Sequence, residues 1–264
     1  MRYYVTADVH GFCTPFLRAL TEAGYFADEG EKTIVICGDL FDRGDEAAEL
    51  QRFVVSRMLL GRIVLIRGNH EDLFEAFCTE DGGRPYAFHL ENGTWKTALT
   101  LTQTPVSAAL QRPYLLARAC RSIPLFTSIL PAMLDYYETA HYVFVHGWIP
   151  CRRGTQGVLF DENWREASPE AWAEARWRNG MDCAADGATE EGKTVVCGHI
   201  HASYGHAVFE HRGSEFGPDA DFSPYSAPGI LALDACTVRS GGVNVIVLED
   251  DPLPERLDDS RRAA

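Results

Sequence analysis

The sequence predicts a layered α/β fold interrupted by a helical insertion. Short β-branched apolar runs alternate with helical periodicity up to residue 77, a proline-punctuated helical stretch fills residues 79–140, and strand signals return after it. Tyr3–Ala7 reads as the first strand. Thr14-Pro15 reads as an N-cap with proline in the first turn, opening a helix that ends near Gly24. Thr33–Cys37 is an unbroken apolar run, the pattern of a strand covered on both faces. Leu50, Phe53, Val54 and Met58 fall at helical spacing within Asp45–Leu60, and Gly61 supplies the stop. Ile63–Ile66 is the third strand, followed by a helix over Glu71–Phe77. In the insertion, Thr94–Gln111 and Pro113–Arg121 read as helices. Tyr142–Val145, Thr194–Cys197, Ile230–Leu233 and Val243–Leu248 then read as strands, and Ser203–Pro228 as a long loop with room for a hairpin.

The length of 264 residues fits one domain over 1–264, with 79–140 inserted in it and 250–264 a disordered tail, since Glu249–Asp259 is acidic and broken by prolines. With 46% hydrophobic and 23% charged residues, the chain has the balance of a soluble globular protein. No run approaches the ~20 apolar residues of a membrane span. The first residues carry no apolar signal core, so a cytoplasmic location is expected. The eight cysteines are dispersed without a Cys-x-x-Cys pair, which argues for reduced thiols and against a zinc ribbon. Cys37 and Cys197 close apolar runs and are expected to be buried. The formal charge of −14, from 38 acidic and 24 basic residues, argues against nucleic acid or anionic membrane as partners.

Five short polar segments each follow an apolar run, so their side chains emerge at a strand's carboxyl end, where open α/β sheets gather their sites. Asp8-Val9-His10-Gly11 offers a carboxylate and an imidazole within one turn. Gly38-Asp39-Leu40-Phe41-Asp42-Arg43-Gly44 sets two carboxylates and a guanidinium between glycines that allow sharp turns. In Gly68-Asn69-His70-Glu71 the asparagine suits either a hard divalent ion or a plain helix N-cap. His146-Gly147 and Gly198-His199-Ile200-His201 add imidazoles, the last two on one face if the backbone stays extended. Taken singly, each segment has a bland structural explanation.

Taken together and in this order, the series resembles the calcineurin-like metallophosphoesterase superfamily, from Asp8 to about Leu248. Its Asp-Arg-Gly and Gly-Asn-His-Glu elements are similar to the branch of serine/threonine phosphoprotein phosphatases and diadenosine tetraphosphatases. The resemblance implies a four-layer α/β/β/α sandwich of two mixed sheets with flanking helices. It also implies two divalent metal ions; mixed nitrogen and oxygen ligands suit Mn, taken foremost, Fe, Zn or Co, and Mg is a further alternative. By the same resemblance Asp8 and His10 hold the first ion, Asp39 bridges, and Asn69, His146 and His199 hold the second. His201 completes the first site, as in members ending in Gly-His-x-His; the phosphoprotein phosphatases usually lack this residue.

The implied reaction is hydrolysis of a phosphate monoester, on a phosphoprotein or a small phosphorylated molecule. A hydroxide shared by two metals roughly 3.5–4 Å apart is the nucleophile. Bound metals and a few arginines must invert the acidic chain's charge locally. Arg43 fits as the forked phosphate donor, His70 as general acid and Asp42 as its orienting partner. A second phosphate-facing arginine is expected between His146 and His199, and Arg176 is chosen over Arg178. The alternatives are a dinucleoside polyphosphate hydrolase or phosphodiesterase, and a non-catalytic scaffold. A decayed scaffold would have lost ligands or the acid. His89, His141, His206 and His211 are expected to be structural or exposed, Trp148, Trp164, Trp172 and Trp177 to pack, and Asp234 to be a turn residue.

Overall fold

A computed structural model describes residues 1–155 and 157–253. The chain runs β1 (Arg2–Thr6), α1 (Cys13–Glu22), β2 (Lys32–Cys37), α2 (Ala47–Leu59), β3 (Ile63–Ile66) and α3 (Asn69–Thr79). Four short helices follow, α4 (Ala87–Asn92), α5 (Thr94–Thr102), α6 (Val106–Gln111) and α7 (Pro113–Cys120), then a π-helical turn (Leu125–Ile129) that continues into α8 (Leu130–Ala132). Next come β4 (Tyr137–Glu138), β5 (Tyr142–Phe144), β6 (Cys151–Arg153), β7 (Val158–Phe160), α9 (Pro169–Ala175) and α10 (Gly180–Ala185). The rest comprises β8 (Thr194–Cys197), α11 (Ala202–Val208), β9 (Tyr225–Ala227), β10 (Ile230–Ala232), α12 (Thr237–Ser240) and β11 (Ile246–Glu249).

One sheet has the order β11-β1-β2-β3, with β1, β2 and β3 parallel and β11 antiparallel at the edge. The second main sheet has the order β4-β5-β8-β10-β9, with a parallel centre of β5, β8 and β10 and antiparallel edges, and β6 and β7 form a separate antiparallel pair. Strand alternation divides the apolar residues among three cores. From β1 and β2, Tyr4, Ile34 and Ile36 face outward onto Phe16, Leu20, Leu50 and Val54. Their neighbours Tyr3, Val5, Val35 and Cys37 face Phe144, Val196 and Leu233 between the sheets. Beyond the second sheet, Val143, Val195 and Cys197 pack with Trp148, Trp164 and Trp172. The result is helix, sheet, sheet, helix: the expected four layers. Burial on both faces is why the strands read as unbroken apolar runs.

Several expected elements differ in detail. The helix expected over Thr94–Gln111 is split into α5 and α6, because Gln103 takes φ 54° and Pro105 denies the preceding residue a helical backbone. Thr14 is not the N-cap of α1. The helix opens at Cys13 behind Phe12, and the Thr14 backbone N–H donates to Glu46 at 2.8 Å. α3 begins at Asn69 with Gly68 as cap, not at Glu71. The expected loop 203–228 contains most of α11 and all of β9, which pairs antiparallel with β10 in a tight hairpin, Ala227 opposite Ile230.

Of the expected 250–264 tail, residues 254–264 lie outside the described residues. Its start is held in place. Asp250 is buried, accepts the His141 backbone N–H at 2.7 Å and faces His141 Nδ1 at 2.7 Å. Burial raises its pKa, but the hydrogen bonds from His141 and Thr139 outweigh this and hold it at about 2. A depressed carboxylate stabilises the fold above its ordinary pKa near 4 and loses that contribution as pH falls through about 2. Asp250→Asn is therefore expected to cost about 1–2 kcal/mol at pH 7, with the deficit closing towards pH 2. Urea unfolding of both proteins at pH 7, 4 and 2 checks this; a deficit that persists at pH 2 rules out the ionic origin.

Candidate metal centre and active site

The six parallel strands of the two sheets all release their chains towards the same side, and the five polar segments converge there. They are knitted together by backbone hydrogen bonds: Asp8 N–H to Gly38 O (3.2 Å), His10 N–H to Asp39 O (2.9 Å) and Gly198 N–H to His146 O (2.8 Å). Six of the nine non-glycine residues with positive φ among the described residues lie here: Asp8, His10, Asp39, Asp42, Arg43 and His199. Each such backbone costs on the order of 1–3 kcal/mol and persists because the surroundings over-determine it, a usual mark of a functional site. Gly38 shows the closeness of the packing. It has φ +79°, and a Cβ there would stand 2.5 Å from His146 Nδ1.

Asp39 is the centre. Its Oδ2 lies 3.7 Å from His10 Nε2 and 3.8 Å from His70 Nε2, while its Oδ1 lies 3.4 Å from His146 Nε2. Two groups of convergent ligand atoms share it, His10–Asp39–His70 and Asp39–His146–His199. His10 Nδ1 donates to Phe41 O and His146 Nδ1 to Cys37 O, each at 2.9 Å. These bonds fix the tautomer and leave both Nε2 lone pairs free for a metal. Burial brings the pKa of His10 down to about 3, and burial with His146 brings that of His199 to about 4, so both rings are neutral donors. Burial alone would raise the Asp39 pKa, but His146, His70, His10 and His199 outweigh it and hold the carboxyl below its usual range.

Asn69 is not a cap. Its Oδ1 faces His146 Nε2 at 2.7 Å, so the amide oxygen and the imidazole converge on one point that could hold a cation. Asp8 is buried, and its pKa is raised by burial and by the charges of Asp234 and Asp39. Three buried carboxylates so close together also call for positive charge. The residues thus fit a dinuclear centre. Asp8 itself stands outside both ligand groups, because its carboxylate accepts the His199 backbone N–H at 3.0 and 3.2 Å.

The acid–base pair is built beside the first group. His70 Nδ1 is 2.8 Å from Asp42 Oδ2, and Arg43 Nη2 is 3.2 Å from His70 Nε2. Burial pulls the His70 pKa down, but Asp39 and Asp42 prevail and raise it. Two residues of α5 secure Asp42: Thr94 Oγ1 donates to Oδ2 at 2.8 Å, and Thr97 Oγ1 accepts the Asp42 backbone N–H at 3.0 Å. Gly93, at φ +91°, lets α5 approach so closely that a Cβ would meet Arg43 N at 2.3 Å.

Two expected residues are placed otherwise. Arg176 directs Nε and Nη2 at the two oxygens of Asp72 (2.7 and 3.2 Å) and Nη1 at Asp135 (2.8 Å), so its fork is already occupied. Arg178 pairs with Glu174. His201 Nε2 faces Glu215 at 2.9 Å, outside both ligand groups. Trp148, Trp164 and Trp172 pack as expected, but Trp177 is 53% exposed with its ring 5.9 Å from that of His199.

Sequence reasoning gave Glu71 no role and underrated the surroundings of Asp234. Glu71 accepts the backbone N–H groups of Asp39 (3.0 Å), Leu40 (3.0 Å) and Gly68 (2.8 Å), pinning the central turn; burial and Asp39 push its pKa up to about 7. Asp234 is the turn residue expected, accepting the Cys236 N–H at 2.7 Å, yet it is buried among the charges of Asp8, His201 and Arg43. Its position at the end of β10, like the five segments at their strand ends, was the available signal.

The chain belongs to the calcineurin-like phosphoesterase family, whose sequence pattern matches residues 1–220. It is similar to a bis(5'-nucleosyl)-tetraphosphatase of Bacillus velezensis, 32% identical over 76 residues, with 26% of this chain and 30% of that protein covered. The match thus spans under a third of that relative's length. Among solved structures it resembles a cold-active protein tyrosine phosphatase, with a TM-score of 0.50, 17% identity, and 94% and 73% of the two chains covered. A protein serine/threonine phosphatase of Saccharomyces cerevisiae gives a TM-score of 0.44 at 14% identity, covering 97% and 82%. Of the two, only the first, at a TM-score of 0.50, bears on the fold, and at 17% identity on the fold alone. No helix among the described residues is long and apolar enough to cross a membrane.

Proposed function

We propose that this chain hydrolyses phosphate monoesters, of a phosphoprotein or a small phosphorylated molecule, with the aid of two divalent metal ions, Mn foremost. One observation carries the reading: Asp39 divides its carboxylate oxygens between two histidine groups, with the His70–Asp42 pair alongside. Asp8, His10 and Asp39 would hold the first ion, with His201 turning in from Glu215, and Asp39, Asn69, His146 and His199 the second. When bound, such a pair neutralises phosphoryl oxygens and lowers the pKa of a water between the ions.

Arg43 serves as the phosphate donor and His70 as the general acid. In the arrangement described, Arg43 Nη2 lies 3.2 Å from His70 Nε2, a donor-to-donor contact once the ring is protonated, as its raised pKa favours. A phosphate oxygen relieves that contact, because it accepts from the guanidinium and leaves Nε2 free to carry a proton towards the leaving oxygen. Asp42, held by Thr94 and Thr97, keeps Nδ1–H oriented throughout. Arg176 could support phosphate only by leaving Asp72 or Asp135. A cytoplasmic location suits the eight free thiols.

A second reading, hydrolysis within a dinucleoside polyphosphate, is favoured by the similarity to the bacterial bis(5'-nucleosyl)-tetraphosphatase. Metal-stripped protein reconstituted with each divalent ion and assayed on p-nitrophenyl phosphate, the bis-p-nitrophenyl ester and diadenosine tetraphosphate tests both. The monoester is expected to be turned over fastest, with Mn. A preference for the dinucleotide would favour the second reading, and no turnover with any metal would leave the scaffold.

A further inference from the structure

A groove of about 450 Å³ opens beside Arg43, between the α4–α5 corner and the turn that enters α12. Its polar lining is Arg43, Lys96 and Arg239 against the single carboxylate of Glu91, and Leu90 and Val238 give it an apolar rim. Such a concentration of positive charge is notable in a chain of net charge −14. Arg43 is shared by the groove and the reacting centre, since its Nη2 faces His70. Lys96 donates to Arg43 O at 2.9 Å and pairs with Asp45, a carboxylate 86% exposed and therefore weakly held. Arg239 makes no ion pair among the described residues. Its guanidinium lies over the Phe216 ring, 4.7 Å from the centroid, which fixes its plane and leaves its edge donors free. Exposed Leu90 and Val238, both 57% accessible, flank these cations.

We propose that this groove is a second anion subsite, in which Arg239 and Lys96 take a further phosphate of the substrate while Arg43 holds the scissile one. The inference rests on the phosphoesterase reading and narrows its substrate class to molecules with two phosphates, either in one polyphosphate chain or on a short carbon skeleton. Leu90 and Val238 then receive the uncharged body of the leaving group. The pocket's volume falls in the range of small-molecule sites, and a preplaced arginine edge is the usual recognition element for phosphate.

Binding to the full-length protein, followed by calorimetry, tests this without turnover. Inorganic tripolyphosphate is expected to bind at least about tenfold more tightly than orthophosphate, and glucose 1,6-bisphosphate than glucose 6-phosphate, if both sources fit. Arg239→Gln and Lys96→Gln should each reduce the preference by about tenfold. Both positions lie outside the core, so folding is retained. A preference in only one of the two pairs identifies the source. Equal binding of one and two phosphates by the wild type, or equal losses for both in the variants, overturns the subsite. Failure of the phosphoesterase reading is a different result: wild-type protein that binds these anions yet cleaves no p-nitrophenyl phosphate.

Discussion

Asp39→Asn is expected to lose both metal ions and to lower kcat/KM by at least about 10³-fold, since even outer ligands cost 10–100-fold. The replacement keeps the size of the side chain and removes the one negative charge that both histidine groups share. An amide offers a single lone-pair oxygen, so whichever group receives it, the other meets an N–H donor instead. Metal analysis after gel filtration gives the direct check. Two equivalents of metal in the variant would show that Asp39 does not join the sites.

His70→Ala is expected to lower kcat by roughly 10²–10⁴ while metal content stays at the wild-type level, as a lost general acid requires. The loss should be large for alkyl phosphates and small for p-nitrophenyl phosphate, whose leaving group needs no proton. This comparison matters because the fold places His70 Nε2 3.8 Å from Asp39 Oδ2, inside one of the two potential ligand groups. A ligand role predicts metal loss and an equal drop on every ester. An acid role predicts retained metal and a drop graded by the leaving group. Its partner tie to Asp42 at 2.8 Å, itself secured by Thr94, favours the second pattern.

Much of the architecture was legible because it is written in local period. The alternation of Tyr3 with Tyr4 and of Ile34 with Val35 places successive side chains in different cores, and two-sided burial makes the runs continuously apolar. Where the reading slipped, a local competitor had won. Gln103 and Pro105 divided a helix whose apolar pattern ran on, and Phe12 rather than Thr14 preceded α1. The β9 strand was hidden because three residues are too short a run to show a period, although its hairpin with β10 is local.

By itself, the sequence determined that polar turns follow apolar strands, and that those turns carry carboxylates, imidazoles and an asparagine suited to a divalent ion. Only the tertiary structure decided how these groups share the space. It turned the two oxygens of Asp39 to opposite histidine groups, paired Arg176 with Asp72 and Asp135, and brought Thr94 from 52 residues away onto Asp42. The physical reason is that residue type and spacing fix what a loop can offer and which way a strand's side chains face. Distances of a few ångströms between loops depend on strand register and sheet stacking, and those follow from packing among residues far apart in the chain.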